Sequence, residues 1–486
     1  MSKASCDTAR ILRVYWSLFL GNVVEWYEFA VYGYLEPILE DKFFQGSAIG
    51  AWLGFGVTFL ARPLGGAVFG TLGDSFGRSV AVNVTIIGML VGTCGQGCLP
   101  TYANGDTAGR IGLAALIALR FLQGMSAAGE ISTISTYIAE VGRRESLGLS
   151  VSLISITVNI GFLLAKAVVF LTTLACGDEA MKDWGWRLPF ILAAVPGVIA
   201  VWGRRYMPES EAYLEAKATA KERTEAEPER GVEAQEAQSR QSLRGIAREH
   251  GVNILIGIGG VASFAVLEYG GFVWTNTFLA KRGMPPDGTM LVSLVARVLM
   301  IALALPVGWL TDRKGVAWVV FSASAALALC GLPLFAVLQA FPTDVPVAVA
   351  VVGVGYGILG SLVGTTTFLY VVELFPTTVR AAAVGISYNI GFSVFGGLAP
   401  MLCEASLNGS ALGPGLVLSF GGLLTAVTVL TAQICHSQGL VKLTHVREQP
   451  YFSSSALCGA IGDNSKAKRA QQTESSEGDS TADESS

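Results

Sequence analysis

Charge is scarce in this sequence. Of its 486 residues, 14% are Asp, Glu, Lys or Arg, where a soluble domain carries about a quarter. Histidine is scarcer, at three residues, and the eight cysteines are scattered. A soluble enzyme is excluded, because a chain that is 52% hydrophobic would expose more apolar surface than water tolerates. His250, His436 and His445 lie outside every long apolar run, so neither a metal nor another cofactor is expected. The net charge of −4 gives no basic surface for nucleic acid. Cys94 and Cys98 stand at i and i+4, but free helical thiols are the expected state of the cysteines. Alternating polar and apolar residues are missing too, which excludes the wall of a membrane barrel.

What is present is long apolar runs. A helix needs about 20 mostly apolar residues to cross the hydrocarbon core. Twelve stretches qualify, at 14–36, 49–72, 79–100, 110–138, 147–174, 187–207, 252–280, 288–311, 316–339, 345–372, 380–404 and 412–435. Glycine, at 58 residues, suits helices that pack closely in lipid. The expected fold is an all-α membrane protein of twelve transmembrane helices in two pseudo-symmetric six-helix bundles. Residues 1–13 are read as a cytoplasmic N-terminus, 14–207 as the first bundle, 208–250 as a charged cytoplasmic linker and 251–435 as the second bundle. Residues 436–486 read as a cytoplasmic, mostly disordered tail rich in Ser, Asp and Glu. With the N-terminus inside, 23 of the 33 Lys and Arg residues fall on the cytoplasmic side and six outside, among them Lys42, Lys281 and Arg282. Both termini are expected in the cytoplasm. No cleavable signal peptide is read at the start, and the plasma membrane is the expected location.

The two halves repeat one another. GTLGD at Gly70–Asp74 matches GWLTD at Gly308–Asp312, YIAE at Tyr137–Glu140 matches YVVE at Tyr370–Glu373, and NIG at Asn159–Gly161 matches NIG at Asn389–Gly391. Three matches in order, at nearly constant offset, indicate a duplicated six-helix unit. Such duplication is typical of secondary transporters, whose substrate lies between the halves near the midplane.

Several motifs resemble those of the major facilitator superfamily. RPLGGAVFGTLGDSFGR at Arg62–Arg78 is similar to its loop motif. GNVVEWYEFAVYG at Gly21–Gly33, RFLQGMSAAGE at Arg120–Glu130, WGWRLPF at Trp184–Phe190 and ELFPTTVR at Glu373–Arg380 resemble its metabolite:proton symporter family. That family includes carriers of proline and betaine, 2-oxoglutarate, citrate and shikimate. Glu28 stands where the family usually has Asp. The resemblance implies alternating access; a membrane enzyme would need a nucleophile–base or metal cluster in the bilayer, none is read there, and no enzymatic activity is expected.

Charges inside a membrane are costly and normally face a cavity or a partner. Asn22, Glu25, Glu28 and Tyr32 share one face of the first helix. Glu25 and Glu28, with Arg120, are the expected proton-coupling groups. Tyr32, Arg120, Glu130, Asn159, Lys166, Glu268, Arg297, Tyr388 and Asn389 are the candidate substrate ligands. Asp74, Arg78, Glu140, Arg144, Asp312, Arg313, Glu373 and Arg380 lie near the cytoplasmic helix ends and are candidate gating residues. A carboxylate there can meet a helix N-terminus across the bundle interface. Other aromatic residues, such as Trp52 and Phe55, are read as core or lipid-facing. Arg120, Lys166 and Arg297 place three cations in three helices, which favours a small organic anion: a di- or tricarboxylate carried with a proton. The alternative is a zwitterion such as proline or betaine, which follows if Glu130 and Glu268 neutralise Lys166 and Arg297. A passive facilitator or channel is the rival from another class. The expected partners are a small carboxylate, a proton and the lipid bilayer, with a monomer as the working unit.

Overall fold

In a computed structural model of the chain, the structure describes residues 11–76, 78–129, 134–135, 138–139, 142–204, 243–376, 379–439 and 441–443. All elements formed by these residues are helical. Among the described residues, twelve helices span the molecule. In the first half they are α1 (Trp16–Tyr34), α2 (Ala48–Phe76), α3 (Arg78–Gln96), α4 (Asp106–Ala127), α5 (Leu147–Cys176) and α6 (Arg187–Arg204). In the second they are α7 (Arg248–Lys281), α8 (Pro286–Lys314), α9 (Val316–Ala340), α10 (Val345–Glu373), α11 (Arg380–Gly409) and α12 (Gly413–Ser437). Ten helices among the described residues are long and apolar enough to cross a membrane. Helix α1 is not one of them; its Asn22, Glu25 and Glu28 are all buried inside the protein. Leu60, Leu174, Leu255 and Leu329 turn outward and are more than half exposed, as side chains facing lipid tails should be.

Helical structure before α7 begins at Leu243, inside the stretch read as linker, and bends at His250. Ile246 there is buried, so the last turns of that stretch have an apolar anchor. Within α7 the regular helix pauses at Val261 and widens to a π-helix over Leu267–Trp274. Similar π segments occupy Val349–Tyr356 of α10 and Phe392–Gly396 of α11. Such widened turns are frequent at functional sites.

The repeat is visible in the packing. The bundles meet through α5 against α8 and α2 against α11, two seams exchanged by the duplication. The matched NIG motifs also do matching work. A Cβ on Gly161 would fall 2.6 Å from the Val23 carbonyl oxygen of α1, and one on Gly391 would fall 3.0 Å from the Ile258 carbonyl oxygen of α7. In each half the missing side chain lets the first helix of the bundle lie against the fifth.

Candidate functional site

The polar face of α1 points into the protein. Glu25 pairs with Arg62 of α2 at 3.2 Å, and both side chains are fully buried. The Arg62 guanidinium also lies over the rings of Phe29 and Phe59, at 4.7 and 5.0 Å. In the sequence Arg62 is legible only as the first residue of the loop motif. Asn22 accepts from the Trp26 indole at 3.0 Å and donates to the Thr157 hydroxyl at 2.7 Å, which fixes the Trp26 ring.

Glu28 and Arg120 form no direct ion pair. Gln123 stands between them: its amide nitrogen donates to Glu28 at 3.1 Å and to Thr93 at 2.9 Å, and its oxygen accepts from Arg120 at 2.8 Å. Arg120 also donates to the Phe55 carbonyl at 3.1 Å and covers the Tyr32 ring at 4.2 Å. Gln123, one turn from Arg120, captures its guanidinium, and the Tyr32 face holds it. Tyr32 itself donates to the Ala51 carbonyl at 3.0 Å.

Across the seam, Arg297 of α8 is held by four neighbours. It pairs with Glu268 of α7 at 2.5 Å, donates to Asn159 of α5 at 3.0 Å, and lies over Phe162 and Phe272 at 4.1 and 4.7 Å. Lys166 of α5 meets neutral groups: it donates to Asn276 at 2.7 Å and Thr289 at 3.4 Å and faces the Tyr34 ring at 5.0 Å. Among the described residues no carboxylate lies within ion-pair distance of Lys166. A cavity of about 10 Å³, roughly one water, lies here between Tyr34, Asn276, Ser293 and Arg297. The counting of three cations is therefore corrected, because Glu268 neutralises one of them. Asn389 donates to the Ala128 carbonyl at 3.0 Å, across the α11–α4 boundary. Tyr388 stacks on Phe392 at 4.2 Å.

The centre is aromatic. Trp26, Phe29, Phe59 and Phe162 of the first bundle meet Tyr269 and Phe392 of the second, with ring centroids 5.0–6.4 Å apart. Trp52 and Phe55 are fully buried, which removes the lipid-facing reading of both.

Both ends are latched. At the α5–α8 end, Asp312 accepts from the backbone N–H groups of Gly148 and Leu149, at 2.7 and 3.1 Å. These are first-turn donors of α5 with no partner inside the helix, where its dipole favours an anion. At the other end, Lys281 closing α7 pairs with Glu40 at 2.7 Å and Glu36 at 3.4 Å. Those glutamates lie on a short helix, Glu36–Phe43, that follows α1. In the sequence Lys281 is legible only as one of the basic residues outside. Arg144 is exposed, Arg313 lies on the Trp309 ring at 4.0 Å, and Glu373 and Arg380 are buried. Glu130 and Glu140, and the side chains of Asp74 and Arg78, lie outside the described residues.

Two duplicated bundles, charged groups buried at their seam and a latch at each end are the anatomy of an alternating-access carrier. The profile of the Major Facilitator Superfamily matches residues 18–400. The chain belongs to the major facilitator superfamily. It is a secondary transporter of that superfamily and an integral, multi-pass membrane protein. It is 33% identical to the ectoine/proline transporter ProP of Corynebacterium glutamicum, over 85% of this chain and 82% of that protein. It is 30% identical to the glycine betaine/proline/ectoine/pipecolic acid transporter OusA of Dickeya dadantii, over 83% and 79%. The proline/betaine transporter of Escherichia coli K12 is 28% identical, over 87% and 84%. Among solved structures, the proton:xylose symporter XylE superposes with a TM-score of 0.67 at 16% identity, over 91% of this chain and 98% of that one. That likeness concerns the superfamily fold.

Proposed function

We propose that the protein is a proton-coupled importer of a zwitterionic osmolyte of the proline, betaine or ectoine kind, working by alternating access in the plasma membrane with its Asp312 end in the cytoplasm. The observation that carries this reading is the charge balance at the seam. Arg62 and Arg297 each have a carboxylate partner, Glu25 and Glu268. Of the three interior cations that favoured a net-anionic substrate, Arg297 is thus neutralised, while Arg120 and Lys166 meet neutral partners among the described residues. A zwitterion needs donors for one carboxylate and aromatic surface for its ammonium, and both are present. The names borne by the relatives in Corynebacterium glutamicum and Dickeya dadantii point the same way.

The coupled proton belongs on Glu28. It accepts from the neutral Gln123 amide and forms no ion pair among the described residues, so proton exchange there breaks no ion pair. Glu25 is committed to Arg62. Gln123 connects Glu28 to Arg120, so a change of charge at Glu28 reaches the bundle centre through two hydrogen bonds. The test is uptake of labelled glycine betaine, proline, ectoine and succinate into proteoliposomes, with and without an imposed pH gradient. Gradient-driven accumulation of a zwitterion, undiminished by excess succinate, is the expected result. Accumulation of succinate alone, or equilibration indifferent to the gradient, overturns the reading in favour of an anion carrier or a passive facilitator.

A further inference from the structure

The most densely aromatic part of the bundle interface also holds buried polar atoms that lack partners. Nε and Nη1 of Arg62 and the hydroxyl of Tyr269 make no hydrogen bond among the described residues, and the Tyr388 hydroxyl has only the Arg62 guanidinium beside it, without a well-formed bond. All three side chains are buried. A buried guanidinium donor or phenol without a partner carries a desolvation cost, and a ligand that supplied an acceptor would remove it. Tyr388 and Tyr269 belong to the second bundle and interact electrostatically with Arg62 of the first. The unsatisfied donors therefore converge from both sides of a seam that must part in every transport cycle.

The rings around them are arranged for a cation. Trp26 of α1 and Tyr269 of α7 are nearly parallel, at 16°, with centroids 6.4 Å apart. They come from opposite bundles, so space between them opens only as the bundles separate. A methylated or ring ammonium is attracted when it lies within about 6 Å of an aromatic centroid, a condition the two facing rings can then meet at once. Hydrogen bonding through Asn22 to Thr157 holds the Trp26 indole in place. Glu25, on the next turn of α1 and paired with Arg62, adds a negative charge to this region.

We propose that Arg62, Tyr269 and Tyr388 form the seat for the carboxylate of a zwitterion, whose ammonium enters between the rings of Trp26 and Tyr269. The proposal rests on the zwitterion reading above and adds the seat. The charges then alternate through the site: Glu25 carboxylate, Arg62 guanidinium, substrate carboxylate, substrate ammonium. A substrate with a second carboxylate would bring that group against aromatic faces that carry negative potential, so the seat itself selects against dicarboxylates.

The test uses purified full-length protein in proteoliposomes, with labelled glycine betaine as the probe and dimethylglycine and succinate as competitors. Arg62→Lys keeps a positive charge beside Glu25 but loses the guanidinium donors, and should raise the apparent KM for betaine about tenfold. Tyr388→Phe, which removes only a hydroxyl, should raise it severalfold. Trp26→Leu should abolish the preference for betaine over dimethylglycine. Melting temperatures close to wild type in detergent establish that the variants are folded. Wild-type KM and wild-type preference in all three folded variants overturn the seat while leaving zwitterion transport standing. Should the wild type carry succinate and no betaine, the functional reading fails and the seat falls with it. These two failures are separated by the wild-type measurement alone.

Discussion

Replacing Gly308 by alanine should hold the Asp312 end of the transporter open. At this crossing of α5 and α8 the backbones touch: a Cβ on Gly308 would fall 2.6 Å from the Gly148 carbonyl oxygen and 3.1 Å from the Leu149 Cα. Both obstacles are backbone, so no side chain can swing aside. Ordinary contact starts at 3.4 Å, so the helices must part by about 0.8 Å to accommodate the methyl group. The same displacement stretches the 2.7 Å bond from Gly148 N–H to Asp312 to about 3.5 Å, where a hydrogen bond is lost. A charge-assisted bond is worth about 1.5–3 kcal/mol. The balance between the closed and open forms of this end therefore shifts roughly ten- to hundredfold toward open. The assay is maleimide labelling of a cysteine placed at Ser152, in a background with the native cysteines replaced. Ser152 is buried and lies one turn along α5 from Gly148. Labelling should speed up by about the same factor in Gly308→Ala. An unchanged rate, with the variant folded, would falsify the claim that this contact closes the end.

Three other outcomes are expected. Lys281→Gln removes the ion pairs at the end opposite Asp312; because Lys281 is about a third exposed, the loss is about 0.2–1 kcal/mol, and a cysteine at Thr277 should label up to about fivefold faster, whereas no acceleration counts against a latch at that end. Glu28→Gln should abolish pH-driven accumulation while sparing substrate exchange, and accumulation at the wild-type level would remove Glu28 from the coupling. Glu268→Gln strands the buried Arg297 charge and should cost about 3–5 kcal/mol; the double variant Glu268→Gln/Arg297→Gln should recover most of the loss in a thermal melt, and a double variant less stable than the single refutes the pairing.

How far this architecture could be read from the sequence depended on the range of the interaction. The spans were legible because membrane helices are written in local composition. The run read at 147–174 became Leu147–Cys176, and that at 316–339 became Val316–Ala340. The face of α1 bearing Asn22, Glu25, Glu28 and Tyr32 was legible from helical spacing, and all four are buried. Choice of partner was not legible. Spacing along a helix says which residues share a face and nothing about which helix stands opposite. Glu25 found Arg62, Arg120 turned to Gln123, and Lys166 found Asn276, two of these three partners being neutral amides that a search for charges passes over. Aromatic residues gave no local sign of function either, since a ring in the core and a ring at the bundle seam have the same sequence signature. Of the glycines, the repeated NIG motif marked two that matter, whereas Gly148 gave no comparable signal.

The duplication carries one more consequence. Asp312 fastens α8 to the first turn of α5. Under the repeat, Asp74 holds the matching position at the end of α2, and the matching helix start is that of α11 at Arg380. If each bundle turns as a rigid body, the α5–α8 and α2–α11 seams part together on this side. One equilibrium then governs both, and each latch biases the whole of it. Asp74→Asn should therefore accelerate labelling at Ser152, a position on the other seam. Its factor should multiply with that of Asp312→Asn, because free-energy changes at well-separated positions acting on one two-state equilibrium add. Each factor is expected to be roughly ten, about 1.4 kcal/mol. A Ser152 probe blind to Asp74→Asn, while a probe on α11 responds, would mean that the seams open independently and that the bundles flex rather than rotate.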